Sequence, residues 1–437
     1  MANFFMDSLR SLQTRLGGPQ DKGRGAEYLF VPYTDQQIEM AYRSSWIMRK
    51  AIDIPVDDAT RKWRKFTDED GKTMDEVTKL EKRLAVQSKV KSAKINARLF
   101  GGAALLIGVR GQEDFEIPLD PDRVGPGDLR FLTKLERYNL IELAPVTDPR
   151  SPRYGRSIYY QVTTGSGEFL RVHYSHLVEF DGEEKPTGTT ISDLNVSQRG
   201  DSLLQVLMEP LRNVDNVMAN MATLVADAKT DVIKIPGLSQ NITNPAYEEG
   251  LMTRFGAARM VKGNHGVLIL DKEEEYQSVI YGLDGLPPAA QQFMQVAAAA
   301  ADIPMTRFMS QSPGGMNATG DSDLNNYHDA LSAMQENELT PALESFDRVL
   351  IRSAGYDPAR VISAWEPLKQ VSTAEAADLQ SKVAAMVAAL AGTQIFSDTQ
   401  IEAVAIEAMG KAGLKGLETD QASEVTGTTK GDEDGGF

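Results

Sequence analysis

A predominantly helical α+β fold is what this 437-residue sequence predicts, and three patterns carry that expectation. Residues 286–343 read as a helix, a Gly-rich loop and a long second helix. Upstream, Leu203, Leu207, Leu211, Val214, Met218, Met221 and Val225 recur at steps of three and four, a narrow stripe suited to one helix lying against another. Between residues 114 and 196 the pattern changes to short β segments at 131–137, 158–163, 169–172 and 177–180, separated by Gly, Pro and Asp.

The elements follow in order. Phe5, Leu9, Leu12 and Leu16 mark a short amphipathic helix, in which Asp7, Arg10 and Arg15 break any signal-peptide core. Residues 17–26 form a Gly- and charge-rich linker. Ile38, Tyr42, Trp46, Ile47, Ile52 and Val56 mark a helical region that Pro55 is expected to interrupt. Residues 73–99 read as one further helix, leading through Gly101 and Gly102 into a buried strand that ends at Val109.

The striped helix occupies residues 201–229, and strand-like pieces at 232–235 and 266–270 then flank a helical segment. Across 229–265, Lys229, Lys234, Arg254, Arg259 and Lys262 outnumber Asp231, Glu248 and Glu249. Pro287 and Pro288 suit a first helical turn, where a missing N–H costs nothing. The Ala-rich helix they open stops before Pro304, because a proline disfavours helical geometry in the residue ahead of it. Asp321, Ser322 and Asp323 supply cap oxygens for the long helix, with Leu324, Tyr327, Leu331 and Met334 on one face and a kink expected at Pro341. Gly355 suits a left-handed cap, 361–365 a short strand, and 372–409 two Ala-rich helices. The acidic, weakly apolar tail from Lys415 is expected to be disordered.

Composition narrows the chemistry. With no cysteine there are no disulfides or thiolate metal sites. A net charge of −16 argues against a sequence-specific DNA binder, which gains affinity by neutralising phosphates; it serves solubility as readily as it would suit a conduit that DNA must pass without sticking, and so does not separate the remaining classes. No run of about 18 apolar residues offers a membrane span. Gly71-Lys72-Thr73 ends like a phosphate-binding loop but lacks the glycine required at position 66. His173 and His176 are expected on opposite faces of a strand, and only His173-Tyr174-Ser175 supplies a His-x-Ser tripeptide where a two-histidine phosphoesterase needs two. No catalytic, cofactor or metal-ligating residue is assigned.

The order of a helix, then DIPMTRFMSQSPGGMNATGDSD, then a long helix containing NELTPAL resembles the portal proteins of tailed bacteriophages. So does the Tyr-led helix with its apolar-Pro step and Arg/Trp segment, and so does GEFLRVHYSHLVEFDGEEKP ahead of the striped helix. The resemblance implies a wing, stem, clip and crown around a central channel. On this sequence they map as an N-terminal arm and linker at 1–26, a wing at 27–200, stem helices at 201–229 and 286–303, and a clip at 230–285. A channel loop would follow at 304–322, a long kinked helix returning to the wing at 323–370, crown helices at 371–414 and the acidic tail at 415–437.

The resemblance also implies a ring, usually of twelve subunits, at one capsid vertex of the virion, assembled in the host cytoplasm. Its partners would be double-stranded DNA passing without sequence specificity, the terminase large subunit, major capsid and scaffolding proteins, and a tail adaptor, with no membrane and no cofactor. Arg307, Gln311, Ser312, Pro313, Gly314, Gly315, Met316 and Asn317 would belong to the channel loop. Leu207, Leu211, Val214, Met218, Met221 and Val225 would pack the stem, and Lys234, Arg254, Arg259 and Lys262 would be clip contacts. The alternatives are another head-completion or tail component and, through Asp321 and Asp323, a metal-dependent phosphoesterase.

Overall fold

The computed structural model describes residues 32–393 except 70, 166, 186–199, 228, 239–243, 262–274, 281–284, 311–320 and 370–372, together with 404 and 408. Thr34 opens α1 (Asp35–Ser44) with a capping box completed by Gln37. Ser45 then leaves helical geometry and caps α2 (Trp46–Arg61); its hydroxyl accepts from the Met48 amide and donates to Asp215 at 2.7 Å. The break therefore falls at Ser45 and not at Pro55. The helix runs through the proline, where burial of Ile52, Ile54 and Val56 offsets the one missing hydrogen bond.

β1 (Arg64–Asp68) leads into α3 (Asp75–Leu84) and α4 (Val86–Phe100), two helices where the sequence reads as one. The divider is Ala85, at a left-handed φ of 52°; this turn points Val77, Leu80 and Leu84 into the same core as Val86, Val90 and Ala93. Next come β2 (Gly102–Val109), β3 (Leu129–Leu135), β4 (Leu140–Glu142), β5 (Tyr159–Thr163), β6 (Phe169–His173) and β7 (Leu177–Asp181). β2 is the central strand of an antiparallel sheet ordered β3-β2-β7, and every one of its residues is buried. Ala103, Leu105, Ile107 and Val109 face α4 and the core it shares with α3, while Ala104 and Leu106 face Leu140, Tyr160, Val162 and Val172 of the β4-β5-β6 sheet. A strand covered on both sides needs no polar alternation.

α5 (Leu204–Asp227) starts where three backbones touch. A Cβ on Gly101, whose φ is 82°, would stand 2.5 Å from the Gly200 carbonyl oxygen, and one on Gly182 would stand 2.5 Å from that of Asp201. Beyond α5, β8 (Lys229–Lys234), α6 (Pro245–Val261) and β9 (Glu275–Ile280) form an insertion in which β8 and β9 pair antiparallel. The strand expected at 266–270 lies outside the described residues; the partner of β8 is β9. α7 (Leu286–Ala300) follows, with prolines in its first turn, then α8 (Met305–Phe308) and α9 (Asp321–Met334). A π turn (Gln335–Leu339) joins α9 to α10 (Thr340–Ser353), after which β10 (Val361–Trp365) pairs with β1 and α11 (Thr373–Thr393) follows; the second Ala-rich helix expected before 409 lies, apart from residues 404 and 408, outside the described residues.

The deviation expected at Pro341 takes the form of that π turn. Pro341 has no amide hydrogen for the Asn337 carbonyl, and the Thr340 amide instead reaches back to Gln335, whose carbonyl also accepts from the Thr340 hydroxyl at 2.8 Å. The turn sits at a seam between two cores. Tyr327 and Leu331 pack with α1, α2, α5 and α7, whereas Leu339, Leu343 and Phe346 pack with α3, α4 and the β3-β2-β7 sheet.

Within the second of these cores lies a buried ion cluster. The Arg64 guanidinium reaches Asp347 at 2.5 and 2.6 Å and Glu81 at 3.1 Å, and the Trp63 indole donates to Glu81 at 3.1 Å. Burial pushes both carboxyls upward in pKa and Arg64 pulls against it. Arg64→Leu would strand two buried acids, so denaturant titration should show a loss of about 3–5 kcal/mol. Arg348→Ala, which removes an exposed partner of Glu344, should cost no more than about 0.5 kcal/mol.

Candidate functional site

α5 and α7 form a two-helix rod. Residues 209–213 lie beside 292–296, and the pairing of β8 with β9 continues beyond their far ends, so the helices run antiparallel. The stripe on α5 is buried at Leu207, Leu211 and Val214, against Ala297 and Ala298 of α7. It then leaves the core: Met218 is 43% exposed, Met221 is half-buried and Val225 is 59% exposed. Leu224 adds to this exposed apolar surface, and nearer the base of the rod Phe293 and Val296 of α7 are exposed beside Pro210. α7 contains no charged residue and buries only Ala290, Ala297 and Ala298. An uncharged helix beside an exposed apolar stripe is the signature of a surface that another protein segment covers.

At the base of the rod, the chain on both sides of residues 311–320 is tied to one carboxylate. Asp58, in the last turn of α2, accepts from Arg307 Nε at 2.8 Å and Nη2 at 2.9 Å, and from the Tyr327 hydroxyl at 3.1 Å. The neighbouring Ala59 carbonyl accepts from Gln335 Nε2 at 2.6 Å, and Lys50 donates to the Phe308 carbonyl at 2.9 Å. Burial, reinforced by the Asp58 charge, pushes the Tyr327 hydroxyl far up in pKa and keeps it a donor. The hydrogen bond to Asp58 raises Arg307 in turn. α8 and α9 are thus both moored to α2.

The residues singled out from the sequence fall into three groups. Arg307 is engaged by Asp58 of its own chain. Gln311, Ser312, Pro313, Gly314, Gly315, Met316 and Asn317 lie outside the described residues, as does Lys262. Lys234 pairs with Glu275 across β8 and β9 at 3.1 Å, Arg254 is exposed on α6, and Arg259 belongs to the same helix. Sequence reasoning missed Asp58 and Gln335. The available signal was polar residues in phase with apolar ones: Asp58 belongs to the buried side of α2, and Gln335 is one helical step beyond Leu331.

The histidines are also placed differently from the expectation. His173 ends β6, but His176 lies in a short 3-10 turn, so strand alternation does not apply. His173 Nδ1 is 2.8 Å from the Ser175 hydroxyl, and His176 Nε2 is 2.9 Å from the Ile117 carbonyl oxygen. Lys72 donates its amide to Asp68 at 2.7 Å, so a carboxylate of the chain itself occupies the turn that resembles a phosphate loop. Among the described residues no group of three or more His, Cys, Asp or Glu is arranged to hold a metal, and no helix is long and apolar enough to cross a membrane.

Comparison with known proteins gives three findings. The family model described as "Phage portal protein" matches residues 36–389. A protein of Caulobacter sp. (strain RHG1) named anti-CBASS protein Acb1 is 36% identical over 401 residues; the match covers 89% of this chain but 63% of that relative, so this chain spans less than two thirds of its length. Among solved structures, a chain in the virion of a native gene transfer agent particle aligns with a TM-score of 0.52 at 15% identity, over 88% of this chain and 96% of its own. A chain from the neck of the empty particle, computed with C6 symmetry, aligns with a TM-score of 0.50 at 15% identity, over 90% and 97%. At that identity the structural likeness establishes the shared fold.

Two measurements test the site. Asp58→Ala should loosen α8 and α9 together by about 1–2 kcal/mol, given a partly exposed Arg partner, and appear as faster amide exchange at 305–308 and 321–331 with β2 unchanged. Burial lowers the pKa of His173, His176 and His328. Below about pH 6.5 the unfolded chain therefore takes up protons that the folded chain refuses, and stability should fall as pH drops from 7 toward 5. His176→Asn should flatten that slope in denaturant titrations run across the same interval.

Proposed function

The chain belongs to the phage portal protein family, a structural and non-enzymatic family, and on that premise we propose that its copies close into a ring, of twelve subunits, around a DNA channel at one capsid vertex. The observation that carries this reading is the α5–α7 rod, whose outer half exposes Met218, Leu224 and Val225 in a single copy. Side-by-side packing of rods removes that surface from water, at about 25 cal/mol per Å² of apolar area. In this reading α5 and α7 are the stem, the β8–α6–β9 insertion is the clip that docks the terminase large subunit and later a tail adaptor, and α11 belongs to the crown. The wing, built on the β3-β2-β7 sheet, meets the capsid and scaffolding proteins.

Residues 311–317 form the channel loop, and the Asp58 mooring holds its two flanks to the body of each subunit. Arg307 serves there as an anchor within the chain, since its guanidinium is already paired. Net negative charge suits a wall past which DNA slides without sequence-specific grip. Ring assembly takes place in the host cytoplasm, and the finished ring stays in the virion.

Electron microscopy of the purified protein should show rings with a central hole, and Met218→Glu combined with Val225→Glu should shift the population to single subunits. Solitary subunits for the unaltered chain, both free and in the virion, would overturn the assignment. Replacing Gly314 and Gly315 by proline should leave rings intact and impair genome packaging or retention; normal packaging by that double variant would remove the loop from the mechanism.

A further inference from the structure

The crevice between α5 and α7 offers a second kind of contact. An open groove of about 330 Å³ is lined by Pro210, Phe293 and Val296, with Glu209, Asn213 and Gln292 at its rim. It is distinct from the Met218–Val225 surface, lying at the other end of the rod. Its floor is apolar, and one of its two walls is the uncharged α7.

The described chain starts beside this groove. Tyr33 is clamped to the first turn of α5 by two hydrogen bonds, its amide donating to Gln205 Oε1 at 2.8 Å and its carbonyl accepting from Gln205 Nε2 at 3.1 Å. Gln205 precedes Glu209 by about one helical turn, roughly 6 Å along the axis. The described chain therefore begins at the groove's edge. Their first part carries Phe5, Leu9, Leu12 and Leu16 at steps of four, three and four, which is the spacing of a helix with a single apolar stripe. Arg10, Arg15, Lys22 and Arg24 against Asp7 and Asp21 make residues 1–26 a basic piece of a chain whose net charge is −16. An extended linker of 15 residues reaches up to about 50 Å, so nothing in its length prevents the stripe from turning back onto the crevice.

We propose that residues 1–16 form a helix that lies in the α5–α7 groove of the same copy, with Leu9 and Leu12 over Phe293 and Val296. The amphipathic pattern supplies the apolar face, the Tyr33–Gln205 clamp fixes the point of return, and the segment's net positive charge, Arg10 and Arg15 against Asp7, complements Glu209 at the groove's rim. The contact requires no neighbour and stands whether or not the subunits form a ring. It would stiffen the base of the rod and hide a surface that otherwise competes with rod-to-rod packing.

The absence of native cysteine makes the test direct. In the full chain, Leu12→Cys with Val296→Cys should close a disulfide under mild oxidation, at a rate independent of protein concentration and within one polypeptide on a denaturing gel. Leu12→Cys with Lys79→Cys, on the exposed side of α3, should stay reduced. A bond between two polypeptides, or equal closure of both pairs, would overturn the assignment. In a chain lacking residues 2–16, amide exchange across 290–297 should accelerate at least tenfold; unchanged exchange there would overturn it as well.

Discussion

The carboxylate of Asp58 joins parts of the chain that are 249 and 269 residues away from it. α2 is among the most deeply buried helices of the fold, and its last turn is where Arg307, Tyr327 and Gln335 converge. The position of α8, of α9 and of the π turn is thereby referred to one rigid element. Burying a carboxylate without such donors would be costly; with a two-pronged guanidinium and a phenol the same burial becomes a joint. The rest of the architecture hangs from it: the rod packs on α2 from one side, and the long helix crosses to the sheet from the other.

Much of the fold is legible in the sequence wherever periodicity and capping agree. The α5 stripe, the proline-opened α7, the glycine after α10 and the short strand β10 all appear close to where their residues place them. The differences have local causes. Ala85 carries no marker of a left-handed turn, and it adopts one because two helices must fold onto one core. Pro55 reads as a breaker but stands in a helix whose neighbours are all held by burial, while Ser45 breaks the helix through a hydroxyl that bonds to a residue 170 positions away. Tertiary partners of that kind leave no trace in a local window.

The candidate site divides in the same way. Its apolar half, the α5–α7 rod, can be read directly, because exposure of Met218 and Val225 follows from the same stripe that buries Leu207 and Leu211. Its polar half cannot. Arg307 stands out in sequence as a cation beside a Gly-rich stretch, which invites a phosphate, yet the structure supplies an internal acid from a distant helix. A charge reads as available for a ligand only while its partner is unknown.

The π turn has a geometric effect on the long helix. Tyr327, Leu331, Gln335, Leu339 and Leu343 are buried in unbroken steps of four. In an uninterrupted α-helix each such step drifts by about 40° around the axis, so the row would wind onto the solvent side within a few turns. One wider loop takes up about a residue's worth of rotation, near 100°, and returns the row to the interior. This single turn of irregular backbone thus acts as a phase corrector, letting one length of helix present a continuous inner edge to two separate cores.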